Sequence, residues 1–251
     1  MNQKIDAGTA EILGAFIGDG WLEKSMGSLY ITGNPTEDKE YYDLFLGPLF
    51  CKIFSKVEPK KFSYWGVYGI SCHKRQVLQR CLALGFQSGT KSLTVQIPQE
   101  IINSNEPEVI KAILRGIFDA DGSFWCEKSR SKYSVEWKRT YHQHPEFQIG
   151  SCSKKLLEQI KKLLDEFNIE SKVVLRARAG RRNNRNVSNF YGLRIRKKSH
   201  IEKWFAIIGS NNPRNQTRYQ VWKKYGFLPP RTSISQRREM LLGNLDPKNL
   251  Y

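Results

Sequence analysis

Hydrophobic and polar positions in this chain fall into runs of two periods, and the runs come twice in the same order. The first half opens with an apolar run of helical period, Thr9 to Gly18, followed by alternation around "SLYITG". "TEDKEYYDLFLGPLFCKIF" reads as a helix, "KVEPKKFSYW" and "GVYGISC" as strands, and "HKRQVLQRCLALGF" as a closing helix. The second half repeats this with a helix from Pro107 to Ala120 and strands from "SFWCEKS" to "EFQIGS". The helix "SKKLLEQIKKLLDEFNI" follows, then strands "SKVVLRARAG" and "NFYGLRIRKK" and a helix "SHIEKWFAIIGS". Leu156, Leu157, Ile160, Leu163, Leu164 and Phe167 form one stripe on the middle helix.

Local details match as well. "LYITG" before a helix answers "FQIGS" before another, and "YGISCHK" answers "YGLRIRKKS". A period of this length predicts an internal duplication. The expected fold is α+β, with two pseudo-symmetric αββαββα halves, each carrying a curved antiparallel sheet, joined through two packed helices. Residues 1–100 form the first repeat, 101–227 the second, and 228–251 a tail outside the pattern. The join falls in "IPQEIINSNEPE", with Pro107 suited to the first turn of the helix that follows.

The two opening helices raise a chemical question, because "ILGAFIGDG" (12–20) and "LRGIFDADG" (114–122) both end in aspartate and glycine. A helix carboxyl end carries partial negative charge and disfavours an acid unless a cation answers it. Gly14 and Gly18 share one helix face, as do Gly116 and Ala120, and small residues there let backbones approach closely. Packing on those faces brings Asp19 and Asp121 together. Like charges so placed call for cations, and hard ions such as Mg²⁺ prefer carboxylate, carbonyl and water oxygens. The pair therefore predicts metal-assisted phosphodiester hydrolysis.

Charge points to the substrate. Forty-one Lys and Arg against 24 Asp and Glu give +17, and the span from Lys172 to Lys198 holds ten basic residues and no acid. That distribution predicts a polyanionic partner. A two-stranded ribbon fits the major groove, so the candidate DNA contacts lie on strands and their loops. They are Lys60, Lys61, Tyr64 and Tyr68 in "KKFSYWGVY", and Lys132, Lys138 and Arg139 in "SKYSVEWKRTY". The arginine-rich span adds Arg176, Arg178, Arg181, Arg182, Arg185, Arg194 and Arg196. No apolar run has membrane-spanning length and the start lacks a signal-peptide pattern, so an intracellular protein is expected, in cytoplasm or organelle matrix, and the two repeats within one chain predict a monomer. The five cysteines are scattered and form no C-x-x-C pair. His142 and His144, between Cys126 and Cys152, have the wrong spacing for a structural zinc site.

The two motifs resemble those of the LAGLIDADG homing endonucleases, specifically the single-chain, two-repeat type, and the resemblance extends through about Phe227. It implies a site-specific, intron-encoded DNA endonuclease that cuts both strands of a long asymmetric target. Two or three divalent ions are implied, Mg²⁺ above all, with Mn²⁺ or Ca²⁺ able to substitute in binding. It implies Asp19 and Asp121 as metal ligands, helped by the backbone oxygens of Gly18 and Ala120. It also implies a basic residue beside each centre, Lys91 in "SGTKS" for one, and Arg214 or Arg218 in "NPRNQTR" for the other. The family's polar residue after the strand pattern is replaced here by Gly33 and Ser151, leaving Asn34 or Gln148 for the water-positioning role. An RNA-binding intron maturase of the same fold is the alternative, with intron RNA as partner; the intact acid pair favours the nuclease.

Overall fold

The structure, a computed structural model, describes residues 5–128, 141–182 and 185–251. The first helix, α1 (Ala7–Asp19), starts where the Asp6 carboxylate accepts the Thr9 N–H at 2.7 Å. Every residue from Thr9 to Ile17 is buried. A helix buried all round has no solvent face to pattern, which is why α1 reads as a plain apolar run.

Strands β1 (Gly20–Leu22) and β2 (Leu29–Gly33) follow, then a helical stretch in three pieces: α2 (Lys39–Tyr41), a π turn (Tyr42–Leu46) and α3 (Gly47–Ile53). The wide turn falls just before Pro48, which has no N–H for a regular ladder. Next come β3 (Lys60–Phe62), β4 (Val67–Cys72), α4 (Arg75–Ala83) and the short α5 (Gln99–Ile102). The second half runs α6 (Pro107–Asp121), β5 (Gly122–Lys128), β6 (His142–Ser151), α7 (Lys154–Glu166) and β7 (Lys172–Ala177). It continues with β8 (Gly180–Arg182), β9 (Arg185–Val187), β10 (Phe190–Ile195) and α8 (Lys198–Ile207).

Two four-stranded antiparallel sheets result, ordered β1-β2-β4-β3 and β5-β6-β10-β7. Strand for strand the orders are the same, so the duplication read from the sequence is present in space. The second half differs by one insertion, the two-stranded β8-β9 ribbon, which stands where the first half has only the turn between β3 and β4. Each sheet packs one face inward. Ile31 and Ile70 lie in the core of the first half, and Phe147 and Ile149 in that of the second, with Phe118 stacked on Phe147 at 4.4 Å. The α7 stripe is buried at Leu156, Leu157, Ile160, Leu163 and Leu164.

The linker between halves is held by α7: Gln159 accepts from the Ile97 N–H at 2.9 Å and donates to its carbonyl at 3.1 Å. The last helix before the tail, α9 (Pro213–Tyr225), packs with the tail's α10 (Ile234–Leu242). The tail thus covers the second half, with Met240 and Arg237 buried and Arg237 Nε donating to Thr217 at 2.8 Å. Among the described residues no helix is long and apolar enough to cross a membrane.

Candidate active site and nucleic-acid interface

Helices α1 and α6 lie side by side and run the same way, closely enough that a Cβ has no room at the crossing. A Cβ on Gly14 would sit 2.5 Å from the Ile113 carbonyl, and one on Gly116 would sit 2.2 Å from the Glu11 carbonyl. Gly18 faces Ala120, and a Cβ on it would lie 3.2 Å from the Asp121 carboxyl carbon. The four small residues named from the sequence form this contact, and the two acids meet at its carboxyl end. Gly20 and Gly122 close the helices in extended conformation. They are glycines because Phe16 and Phe118, four residues back, fold over them, with ring carbons 2.1 and 2.0 Å from where a Cβ would be.

Two cations answer the two negative helix ends. Lys91 Nζ donates to the carbonyls of Ile17 at 2.6 Å and Gly18 at 3.1 Å. Arg214 donates to those of Asp119 and Ala120, each at 3.2 Å. Ile17 corresponds to Asp119 in the repeat and Gly18 to Ala120, so the two cations do the same job by the same symmetry. Arg218, the other candidate in "NPRNQTR", is held by Glu37 at 2.9 and 3.0 Å. Burial lowers the Lys91 pKa, against the pull of Asp121 and Asp19.

Burial, then repulsion from Asp121 and Asp38, pushes the Asp19 carboxyl up to about 7, against Arg214 and Lys91. Burial raises Asp121 in the same direction, against Lys91 and Arg214, although its side toward a cleft of about 260 Å³ is open to solvent. Between pH 3.8 and about 7 the folded chain keeps a proton on Asp19 that the unfolded chain gives up. Without metal, stability therefore falls as pH rises through that window. A bound cation competes with the same proton. The melting-temperature gain from Mg²⁺ is expected to be larger at pH 8 than at pH 6; an equal gain at both would remove the carboxyl pair as its origin.

A buried polar network, not read from the sequence, supports Arg214. Asp38 is 4% exposed, pairs with Arg214 at 3.1 Å and accepts from Asn212 Nδ2 at 2.7 Å. Asp119 accepts from Ser210 Oγ and from the Asn211 N–H at 2.7 Å, while burial pushes its pKa up to about 7. The second motif's extra acid thus fixes the loop that delivers Arg214. Nearby, Glu11 and Arg115 bridge the two motif helices through bonds of 2.6 and 2.8 Å.

Of the two positions where the family's polar residue is replaced and the two residues left for water positioning, Ser151 Oγ accepts from the Ser153 N–H, and Asn34 Oδ1 from the Thr36 and Glu37 N–H groups. Gly33 packs against Asp38. Gln148 and Ser151 both line the cleft with Asp121 and Lys91, and the Gln148 Oε1 is buried with no protein partner.

The proposed nucleic-acid contacts divide. Lys60 and Lys61 are exposed, and Tyr64 is 96% exposed. Arg176, Arg178, Arg181, Arg185 and Arg196 are exposed and have no carboxylate partner among the described residues. Arg194 is on the same sheet face but pairs with Glu146. Tyr68 is a correction: it points inward, buried, with its O–H donating to Asp43 at 2.6 Å. Lys132, Lys138 and Arg139 lie outside the described residues, as does the side chain of Arg182. Among the described residues no group of three or more His, Cys, Asp and Glu could hold a metal ion, and the described cysteines are unpaired.

Residues 108–209 match the LAGLIDADG-like domain family. No curated protein sequence matches the chain. A structure of variants of the homing endonuclease I-DmoI is similar with a TM-score of 0.52 at 16% identity, over 82% of this chain and 91% of that one. I-DmoI in complex with DNA and Ca gives the same values. A point mutant of I-SmaMI matches over 100% of this chain and 96% of its own, with a TM-score of 0.53 at 13% identity. At such identities the likeness is one of fold. Residues 108–209 are thus similar to a LAGLIDADG-like domain, and the two halves, joined through α1 and α6, together have the LAGLIDADG homing-endonuclease fold.

Proposed function

We propose that this chain is a site-specific endonuclease, intron-encoded and monomeric, that cuts both strands of a long asymmetric DNA target with divalent metal ions. One observation carries the reading. Two acids stand at the touching carboxyl ends of two parallel helices, each end already answered by its own cation, Lys91 buried and Arg214 partly buried. Helix capping needs no such acids, so their charge is available for something brought from outside. Solved complexes of the similarly folded I-DmoI with DNA and Ca or Mn support the choice of partner and of ion.

The donor set fits a hard cation: two carboxylates that burial raises above the ordinary range, with main-chain oxygens of Gly18 and Ala120 beside them. Asp19 and Asp121 would hold the ions, which when bound make a water more acidic and neutralise charge on a phosphate. Lys91 and Arg214 offset the partial negative charge of the helix ends and set positive charge beside the scissile groups. Gln148, with an unpartnered Oε1 in the cleft, would orient the attacking water.

The test is incubation of the purified protein with DNA spanning its gene's insertion site, fused without the intervening sequence, with and without Mg²⁺. Metal-dependent cutting at one place is expected. Binding without cutting would overturn the nuclease reading and bring forward the RNA-binding maturase.

A further inference from the structure

Position by position, the outer faces of the two sheets differ in chemistry: the second keeps Trp125 and Phe190 there, but sets arginines and Gln148 where the first has a cluster of rings. The registers align Gly20 with Gly122, through their partners Ile31 and Ile149. From there, Trp21 corresponds to Ser123, Tyr30 to Gln148, and Ser71 to Arg194. On the first sheet Trp21, Tyr30, Phe62 and Trp65 form one open aromatic layer. Tyr30 sits 6.0 Å from Trp21, 5.6 Å from Phe62 and 5.3 Å from Trp65 between ring centroids. Trp21 and Trp65 remain 44% and 54% exposed, so this layer is not a closed core.

The second sheet has Gln148, Arg176, Arg194 and Arg196 on that face instead, with Glu146 paired to Arg194. The connection differs in the same sense. Between β3 and β4 there is a tight turn ending at Gly66, with φ +67°. Between β7 and β10 stands the ribbon with Arg178 before it and Arg181 and Arg185 on it.

We propose that the two sheets read the two halves of one duplex by different forces. The first uses apolar contact with thymine methyl groups in the major groove. The second, with its ribbon, uses arginines on phosphates and guanine edges. This rests on the reading of the chain as a duplex-DNA protein, and it assigns most of the salt dependence of binding to one half of the target. Lys60, 5.4 Å above the Phe62 ring, supplies positive charge at the rim of the aromatic layer, which suits a duplex there.

The test uses the full chain without metal. A duplex is first selected from a randomised pool, and binding is then measured against salt concentration. Arg176→Ala, Arg178→Ala, Arg181→Ala and Arg185→Ala combined should flatten the log K against log salt slope by about one per phosphate-bound arginine lost. Trp65→Ala should weaken binding with the slope unchanged. Replacing thymine by uracil should cost roughly fourfold per contacted methyl in one target half only. Trp65→Ala should abolish that cost, and Trp65→Phe, which keeps the apolar surface, should preserve it.

A slope unmoved by the arginine changes, an equal slope change from Trp65→Ala, or no uracil effect in either half would each overturn the division of labour alone. Selection of no duplex by the wild-type chain at low salt would overturn it together with the endonuclease reading.

Discussion

Replacing Asp19 or Asp121 by Asn is expected to remove double-strand cleavage, leave DNA binding intact, and raise the melting temperature in the absence of metal. The two effects share one cause. Burial raises both carboxyls where the two helix ends meet, and repulsion from Asp121 adds to it at Asp19. An amide of the same shape removes the repulsion but offers a cation one poor ligand. Loss of a preorganised electrostatic group of this kind costs about 10²–10³-fold in rate. Relief of roughly 1 kcal/mol in a chain of this size moves the midpoint by about 2–4 °C. Cleavage of a linear target, a gel-shift titration and a thermal melt in chelator check the three parts. Full activity in either variant would sink the shared assignment. A lower melting temperature would mean that the acids are structural after all.

The opposite signs of these effects also explain why the site was legible in the sequence. An acid at the wrong end of a helix is a local anomaly, and two of them in matching context identify their own partner. Lys91 and Arg214 are another matter. Their positions followed from the family resemblance, while their bonds to the helix-end carbonyls became visible only in space. Asp38, Asn212 and Asp119 had no such help: Asn212 and Asp38 are 174 residues apart, and no local pattern announces a pair so distant.

Tyr68 was misjudged for a specific reason. Alternation counted from Lys60 puts residue 68 on the same face, but the turn between β3 and β4 resets the phase. Val67 pairs with Phe62 and Tyr68 with Lys61, so Tyr68 turns inward. Arg194 lies on the outer face with Gln148, yet its charge is answered across the sheet by Glu146, a pairing set by register. The tail could have been read better. Ser233 and Gln236 form a reciprocal capping box, and Gly243 closes the helix in left-handed conformation.

The other large effect concerns the crossing itself. Gly116→Leu is expected to unfold the chain, and even Gly116→Ala should destabilise it by about 2–3 kcal/mol, near the upper range for overpacking. A Cβ at 116 would lie 2.2 Å from the Glu11 carbonyl oxygen and 2.9 Å from the Ala15 nitrogen. Both are backbone atoms of a helix buried on every side, so neither can swing away as a side-chain tip would. Moving α1 bodily would break the Glu11–Arg115 pair and separate Asp19 from Asp121. For this reason the damage should reach the chemistry as well as the fold. Any Gly116→Ala protein that survives should show weaker Mg²⁺ stabilisation than the wild type. Gly180→Ala is the control, since a Cβ there meets nothing within 4 Å and its φ is not left-handed. Chemical denaturation of both variants decides the matter. A Gly116→Ala midpoint equal to that of Gly180→Ala would show that the helices are not locked at this residue, and would remove the rigid crossing as the device that brings the two acids together.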